Sequence, residues 1–324
     1  MPNARPPGVD DLVGRAASSF RALVDAGWSP PLPGAGATAQ RWEALSALGE
    51  DDLAVARLAE GHADAVAVLA ELDGPGAPPG ARLGVWAAEP PAARLTARRA
   101  AGGWRLDGRK AWCSGARSLT HALVTAHAED GPRLFLAGLD RGVRVDPSAW
   151  AGPGMVASDT SDVFFDGVVA DAVGTPGGYV DRPGFWHGGI GVAAVWAGGA
   201  RAVAARLRAS AATRGPDPLL AAALGAVDVA LHGAGAALRE AAREVDREPG
   251  DLPVARLRAL RVRALVARTV DEVLAGTGRA LGAGPLAHDA GHARRVADLS
   301  VYVRQHHGER DLAALGGLLA EADR

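Results

Sequence analysis

The sequence predicts an α+β chain in three successive parts. These are a short helical N-terminal domain over residues 1–80, a β-barrel or sandwich over 81–181, and a helical bundle over 182–324. Three observations carry this. Apolar residues recur at helical spacing near both ends, and turn dipeptides alternate with short apolar runs in the middle. Between the first two parts lies Asp73-Gly74-Pro75-Gly76-Ala77-Pro78-Pro79-Gly80, which can be neither helix nor central strand.

In the first part, Leu12, Ala16, Phe20, Leu23 and Val24 mark one helix, and the Pro/Gly-rich stretch Ser29–Gly36 breaks the pattern. A second helix is expected over Asp51–Glu71, with Leu53, Ala56, Ala59 and Ala63 on one face. In the middle part, Asp107-Gly108 and Asp130-Gly131 read as hairpin turns. Ala122–Ala126 and Arg133–Ala137 flank the second turn as paired strands, and Asp162–Asp166 adds another. In the third part, Leu220, Leu224, Val227, Leu231, Ala234, Leu238, Ala241 and Val245 step by four and three, the seam of a packed helix. Leu257, Leu260, Ala264, Ala267 and Leu274 supply a second face, with Arg256, Arg258, Arg261, Arg263 and Arg268 read mostly as a solvated side. Glycines 188, 189, 191, 198 and 199 let backbones approach, and Val296, Leu299 and Val303 begin the last helix.

A net charge of -2 gives no reason to expect a nucleic-acid partner or an anionic membrane surface. The single cysteine, Cys113, rules out an internal disulfide and a cysteine-rich metal site. Residues Met1–Asp10 lack the apolar core of a signal peptide, and no uninterrupted apolar run reaches the roughly 18 residues of a membrane span. A cytoplasmic protein without a membrane partner is expected. No metal site is expected either: His288 and His292 are spaced i, i+4, but Gly291 lies between them and the glutamate of a zinc-protease helix is missing. Gly276–Gly282 follows a helical pattern rather than a strand, so it is not a dinucleotide loop.

The chemistry concentrates in Gly108-Arg109-Lys110-Ala111-Trp112-Cys113-Ser114-Gly115. An aromatic cofactor needs a flat apolar wall and hydrogen-bond donors at its edge. Trp112 offers the wall; the Ser114 hydroxyl and the backbone N–H groups near Cys113 and Ser114 offer donors. An indole at a strand end equally serves to cover a β core, and the local residues leave both readings open.

Three blocks in order resemble the flavin-dependent acyl-CoA dehydrogenase family, the chain reading as a short, divergent member. They are Ala88-Glu89-Pro90, then Gly108–Ser114, then Gly154-Met155-Val156-Ala157-Ser158-Asp159-Thr160 with Val163-Phe164-Phe165-Asp166 after it. The resemblance implies FAD as cofactor, with the ring between Trp112-Cys113-Ser114 and the bundle. It also implies pyrophosphate contact at Arg214, and a glycine turn at Gly282 and Gly284 against the FAD of a neighbouring subunit. Arg295-Val296-Ala297-Asp298 resembles the Arg-Asp pairing that follows. The family's catalytic glutamate position falls at about His306, with His307 and Glu309 as further candidates. A two-electron oxidation of a small acyl-type substrate by a homo-oligomer is implied, the electron acceptor being unspecified. The sequence departs from the pattern where Ala92-Ala93-Arg94 replaces Gly-Ser-Asp, where Ala88 replaces threonine and where the N-terminal part is short. Those departures keep a non-catalytic partner subunit open as a reading, and a histidine at the base position, His306 or His307, keeps open a flavin-dependent monooxygenase of the same fold.

Overall fold

Seven strands wrap into a small barrel in the computed structural model, which describes residues 8–322. The chain forms two compact units. The first holds residues up to Pro30 together with Arg57–Gly152 and Val156–Phe185. The second holds Pro31–Ala56, Pro153–Met155 and the residues from Trp186 onward.

The first unit contains α1 (Val9–Asp25), most of α3 (Leu53–Glu71), and β1 (Leu83–Trp86), β2 (Leu95–Ala100), β3 (Gly103–Cys113), β4 (His121–Ala128), β5 (Gly131–Gly138), β6 (Val143–Asp146) and β7 (Ser161–Val173). β2, β3, β7, β5 and β4 close a ring, because β4 pairs with β5 on one edge and touches β2 on the other. That second edge of β4 is shared: β1 runs parallel along residues 121–124 and β2 meets it at His127. Leu83, Leu123, Leu134, Leu136 and Val173 pack against Ala65, Val68 and Leu69 of α3. The predicted pairing across Asp130-Gly131 is present, Ala122 opposite Ala137 and Ala126 opposite Arg133, with a two-residue loop between Ala128 and Gly131.

Asp107-Gly108 is not a turn. It lies inside β3, beside a register shift in which Leu106 opposes Val168 and Gly108 opposes Phe165. The turn dipeptide is used there for close approach: a Cβ on Gly108, at φ 120°, would lie 2.4 Å from the Arg94 carbonyl oxygen. The hairpin turn sits instead at Ala101-Gly102, between β2 and β3.

The second unit contains α2 (Thr38–Asp51), α4 (Pro183–Thr213, from Trp186), α5 (Pro218–Arg247), α6 (Leu252–Leu281), α7 (Gly284–His288), α8 (Ala290–Tyr302) and α9 (Glu309–Ala322). Periodicity did not reveal α2, because its inward side mixes Arg41, Ser46 and Gly49 with Trp42 and Leu45. The glycines explain the packing: a Cβ on Gly198 of α4 would lie 2.0 Å from the Ser46 oxygen, and one on Gly49 2.4 Å from the Val195 oxygen. Every residue of the predicted α5 seam is buried or half-buried. α4 and α5 are long and apolar enough to cross a membrane; α4 is mostly buried, whereas α5 leaves Leu219 and Val229 exposed.

The solvated reading of the α6 arginines needs correcting at two positions. Arg258 is buried and donates from Nε to Glu244 of α5 at 2.8 Å. Arg263 is half-buried and bonds two carbonyls. A guanidinium can lie inside when its fork finds acceptors there. α8 is likewise not the last helix, since α9 follows it.

Candidate functional site

The end of β3 carries the most unusual residue in the first unit. Lys110 opposes Val163 and Cys113 opposes Ser161, so β3 holds one residue more than β7 across this step. Such a bulge re-aims a side chain. Lys110, Ala111 and Cys113 face inward and Trp112 faces out. Trp112 sits at φ 58° and is 59% exposed. Holding a non-glycine residue in that left-handed region costs roughly 1–2 kcal/mol. Burial would repay an indole far more than exposure does, so neither strain nor packing favours this placement by itself.

Behind Trp112 the chain is stapled to the segment before β7. Gly115 donates its N–H to Ser158 O at 2.8 Å, and Arg117 forks onto Asp159 at 2.8–3.1 Å. Ser114 Oγ lies 3.0 Å from Thr160 Oγ1, which lies 2.9 Å from Ser158 Oγ. This chain of hydroxyls ends at a half-buried Ser114, next in sequence but one to the exposed indole. Trp86 Nε1 donates to Ser114 O at 3.0 Å and fixes the main chain there. The Cys113 thiol points into the barrel, 3.3 Å from Lys110 O, and burial pushes its ionisation far up, so it stays a neutral thiol.

A second polar cluster lies on the inner side of the same strand. Lys110 Nζ donates to Thr125 O at 2.8 Å and Thr125 Oγ1 at 2.7 Å, with Glu89 Oε1 at 3.4 Å. Thr125 Oγ1 donates to Glu89 Oε1 at 2.8 Å, and His127 Nε2 is 3.5 Å from Glu89 Oε2. Burial lowers the Lys110 pKa, opposed by the Glu89 charge. Burial also raises Glu89, but the Thr125 hydrogen bond and the Lys110 and His127 charges outweigh it and hold the carboxyl below its usual range.

The second unit holds the other predicted residues. His306 follows α8 with its side chain 9% exposed. Its Nδ1 accepts the Gly308 N–H at 3.2 Å, so the neutral ring carries its proton on Nε2. Nε2 is buried without a hydrogen-bond partner among the described residues, 3.6 Å from Asp311 Oδ2. Burial lowers the His306 pKa, against the pull of Asp311. Arg263 ties this segment to α4, donating to Gly189 O at 2.6 Å and Gln305 O at 3.1 Å over the ring of Trp196. His307 is exposed, its Nδ1 3.4 Å from Asp311, and Glu309 is the exposed first residue of α9. Arg214 is exposed just past α4. Gly282 caps α6 at φ 67° and Gly284 opens α7, both exposed. Between the start of α5 and the end of α6 runs a groove of about 480 Å³, lined in part by Asp217, Leu219, Glu272 and Arg279.

In the same unit, Asp298 of α8 is 3% exposed and accepts the Met155 N–H at 2.5 Å. Arg294 reaches both Asp298 and Asp52. Burial pushes the Asp298 pKa up to about 6, against that N–H and Arg294.

The predicted residues therefore fall into separate groups: Trp112, Cys113 and Ser114 in the first unit; His306 and His307 around Asp311, and Arg214, Gly282 and Gly284 at helix ends, in the second. Neither the Lys110 cluster nor the Arg117–Asp159 fork was identified as such from sequence. One signal for Lys110 was available: it is the only lysine in the chain, all other members of the 35 Lys and Arg being arginine.

The chain has the acyl-CoA dehydrogenase fold. KijD3, solved in complex with FMN and dTDP-3-amino-2,3,6-trideoxy-4-keto-3-methyl-D-glucose, superposes with a TM-score of 0.80 at 19% identity, over 99% of this chain and 95% of that one. FMN-bound TdsC from Paenibacillus sp. A11-2, a dibenzothiophene monooxygenase, gives 0.76 at 20% identity over 97% of both chains. Glutaryl-CoA dehydrogenase from Mycobacterium smegmatis gives 0.79 at 18% identity, over 97% of this chain and 89% of that one. No family model matches the sequence, and neither does any curated protein.

Proposed function

We propose that the chain is a flavin-dependent oxidoreductase and that the isoalloxazine ring rests against Trp112. The observation that carries this is an indole held in the open, in a strained backbone conformation, beside a chain of hydroxyls. Strain and exposure together mark a residue kept for something outside the chain. Fold neighbours solved with FMN support the same reading.

A bound flavin supplies two-electron transfer. This chain's residues supply its surroundings. The Trp112 indole excludes water from one face of a flat ring. Ser114 Oγ offers a hydrogen bond at the ring edge and is held in place by Thr160 Oγ1 behind it. Arg214 is the group proposed for the pyrophosphate of FAD, and the turn at Gly282 and Gly284 is proposed to lie against the FAD of a neighbouring subunit. A cytoplasmic homo-oligomer acting on a small acyl-type substrate belongs to this proposal.

A second reading, a monooxygenase of the same fold, is favoured by one observation. Ala92-Ala93-Arg94 stands where the acyl-CoA dehydrogenase family carries Gly-Ser-Asp, which argues against a coenzyme A thioester substrate.

The test is an absorbance spectrum of the purified protein, followed by titration with FMN and FAD. Yellow protein, or saturable binding of either flavin that is lost in Trp112→Ala, supports the proposal. Colourless protein that takes up neither flavin ends it and leaves the partner-subunit reading. FMN binding with no gain for FAD removes the pyrophosphate contacts. Anaerobic reduction by acyl thioesters, against oxygen consumption with reduced flavin, separates dehydrogenase from monooxygenase.

A further inference from the structure

We propose that Lys110 is the positioning residue that holds Trp112 outward, through an ammonium that anchors the inner side of the β3 bulge. Its second readout rests on the flavin reading; its first does not.

Trp112 cannot hold itself, since its side chain is mostly in solvent and its φ is unfavourable. The bulge must be fixed from its flanks. On one flank the Cys113 side chain is fully buried and its thiol bonds back to Lys110 O. On the other flank Lys110 is 3% exposed and spends its ammonium on Thr125 O, Thr125 Oγ1 and Glu89. Thr125 O needs that donor. It lies where the edge of β4 passes from β1, which ends opposite Val124, to β2, which meets His127. A buried carbonyl at such a gap would otherwise lack a partner. One cation therefore completes the barrel wall and fixes the residue two places before the indole.

The choice of residue supports this. Elsewhere the chain uses arginine for every basic position. An ammonium presents three donors in a tetrahedral arrangement; a guanidinium presents a planar fork. The acceptors here belong to two residues on separate segments, which suits the former.

The emission of Trp112 is isolated by subtracting the spectrum of Trp112→Phe protein from that of the parent, and repeating this in the Lys110→Met and Lys110→Arg proteins. In both backgrounds the Trp112 emission should shift and its acrylamide quenching constant change at least twofold, with the far-ultraviolet circular dichroism retained. FMN or FAD binding, measured on the same proteins, should weaken at least tenfold. Unchanged Trp112 emission and quenching in folded Lys110→Met overturn the proposal, as does full restoration by Lys110→Arg. If Lys110→Met does not fold, Thr125→Val removes one acceptor and leaves the β-branched shape; a smaller shift in the same direction is expected, and none overturns the proposal. A Trp112 signal that moves in a protein whose parent binds no flavin leaves the positioning role standing and removes the flavin reading.

Discussion

Trp112 and His306 occupy corners built in opposite ways. Trp112 stands on a bulge, strained and open, with polar anchors behind it. His306 is folded inward, one ring nitrogen bonded to its own loop and the other shut from solvent. Chemical capability and structural readiness are therefore different signals. An imidazole can move protons near neutral pH, yet this one first secures the turn between α8 and α9. Proton exchange with a substrate would require residues 305–308 to open. An indole has no acid–base chemistry, yet its own unit holds it in the open, where it gains little burial.

The largest effect expected is at the anchor of the histidine corner. Arg263→Ala removes two charge-assisted hydrogen bonds to carbonyls and the stack on Trp196, and should destabilise the protein by about 3 kcal/mol in urea unfolding. A loss below about 1 kcal/mol would show that the corner holds without it.

The next test uses pH. Asp298 has its pKa raised from 3.8 to about 6 in the folded chain. Between those values the folded state binds more protons than the unfolded one, so stability falls as pH rises from about 4 to 6, by up to about 3 kcal/mol. Above pH 6 the penalty is constant. Asp298→Asn, whose amide oxygen can still accept the Met155 N–H, should flatten this slope and stabilise the protein at pH 7–8. Urea midpoints measured across pH check both; an unchanged slope refutes the burial argument.

For His306 the sign is opposite. Its folded pKa lies below 6.5, so stability is full above the unfolded value and declines as pH falls through it. The imidazole signal of His306, assigned by its loss in His306→Gln, should titrate below pH 6.5. A midpoint at or above 6.5 would mean that solvent or the Asp311 charge outweighs burial at the ring, and would erase the contrast with Trp112.

The smallest stability effect belongs to the open corner. Trp112→Gly relieves a strained φ and uncovers little core, so stability should stay within about 0.5 kcal/mol of the parent or rise. A loss of about 3 kcal/mol, as for a core aromatic, would mean the indole packs.

Much of the fold was legible. The α5 seam, the β4–β5 hairpin and the helix–β–helix order follow from apolar spacing, because each has one face that must leave water. α2 was not legible because its inward side is half polar and closes on another helix through glycines. Asp107-Gly108 misled because a glycine signals freedom of φ, which a strand uses for close approach as readily as a hairpin uses it for a turn. At the site, the residue types at 112–114 were readable, but the outward turn of Trp112 was not, since it depends on one extra residue in the pairing of β3 with β7.

Spacing along one chain sets most of the helical and extended segments, α2 and the run through Asp107-Gly108 excepted, and it also shows where an aromatic wall and small polar groups lie together. That Trp112 is open, that Lys110 is spent on Thr125 and Glu89, and that His306 is turned inward are settled by long-range packing. Those outcomes depend on which carbonyls and carboxylates distant segments bring within hydrogen-bond reach, and register between strands and closure between helices set that reach.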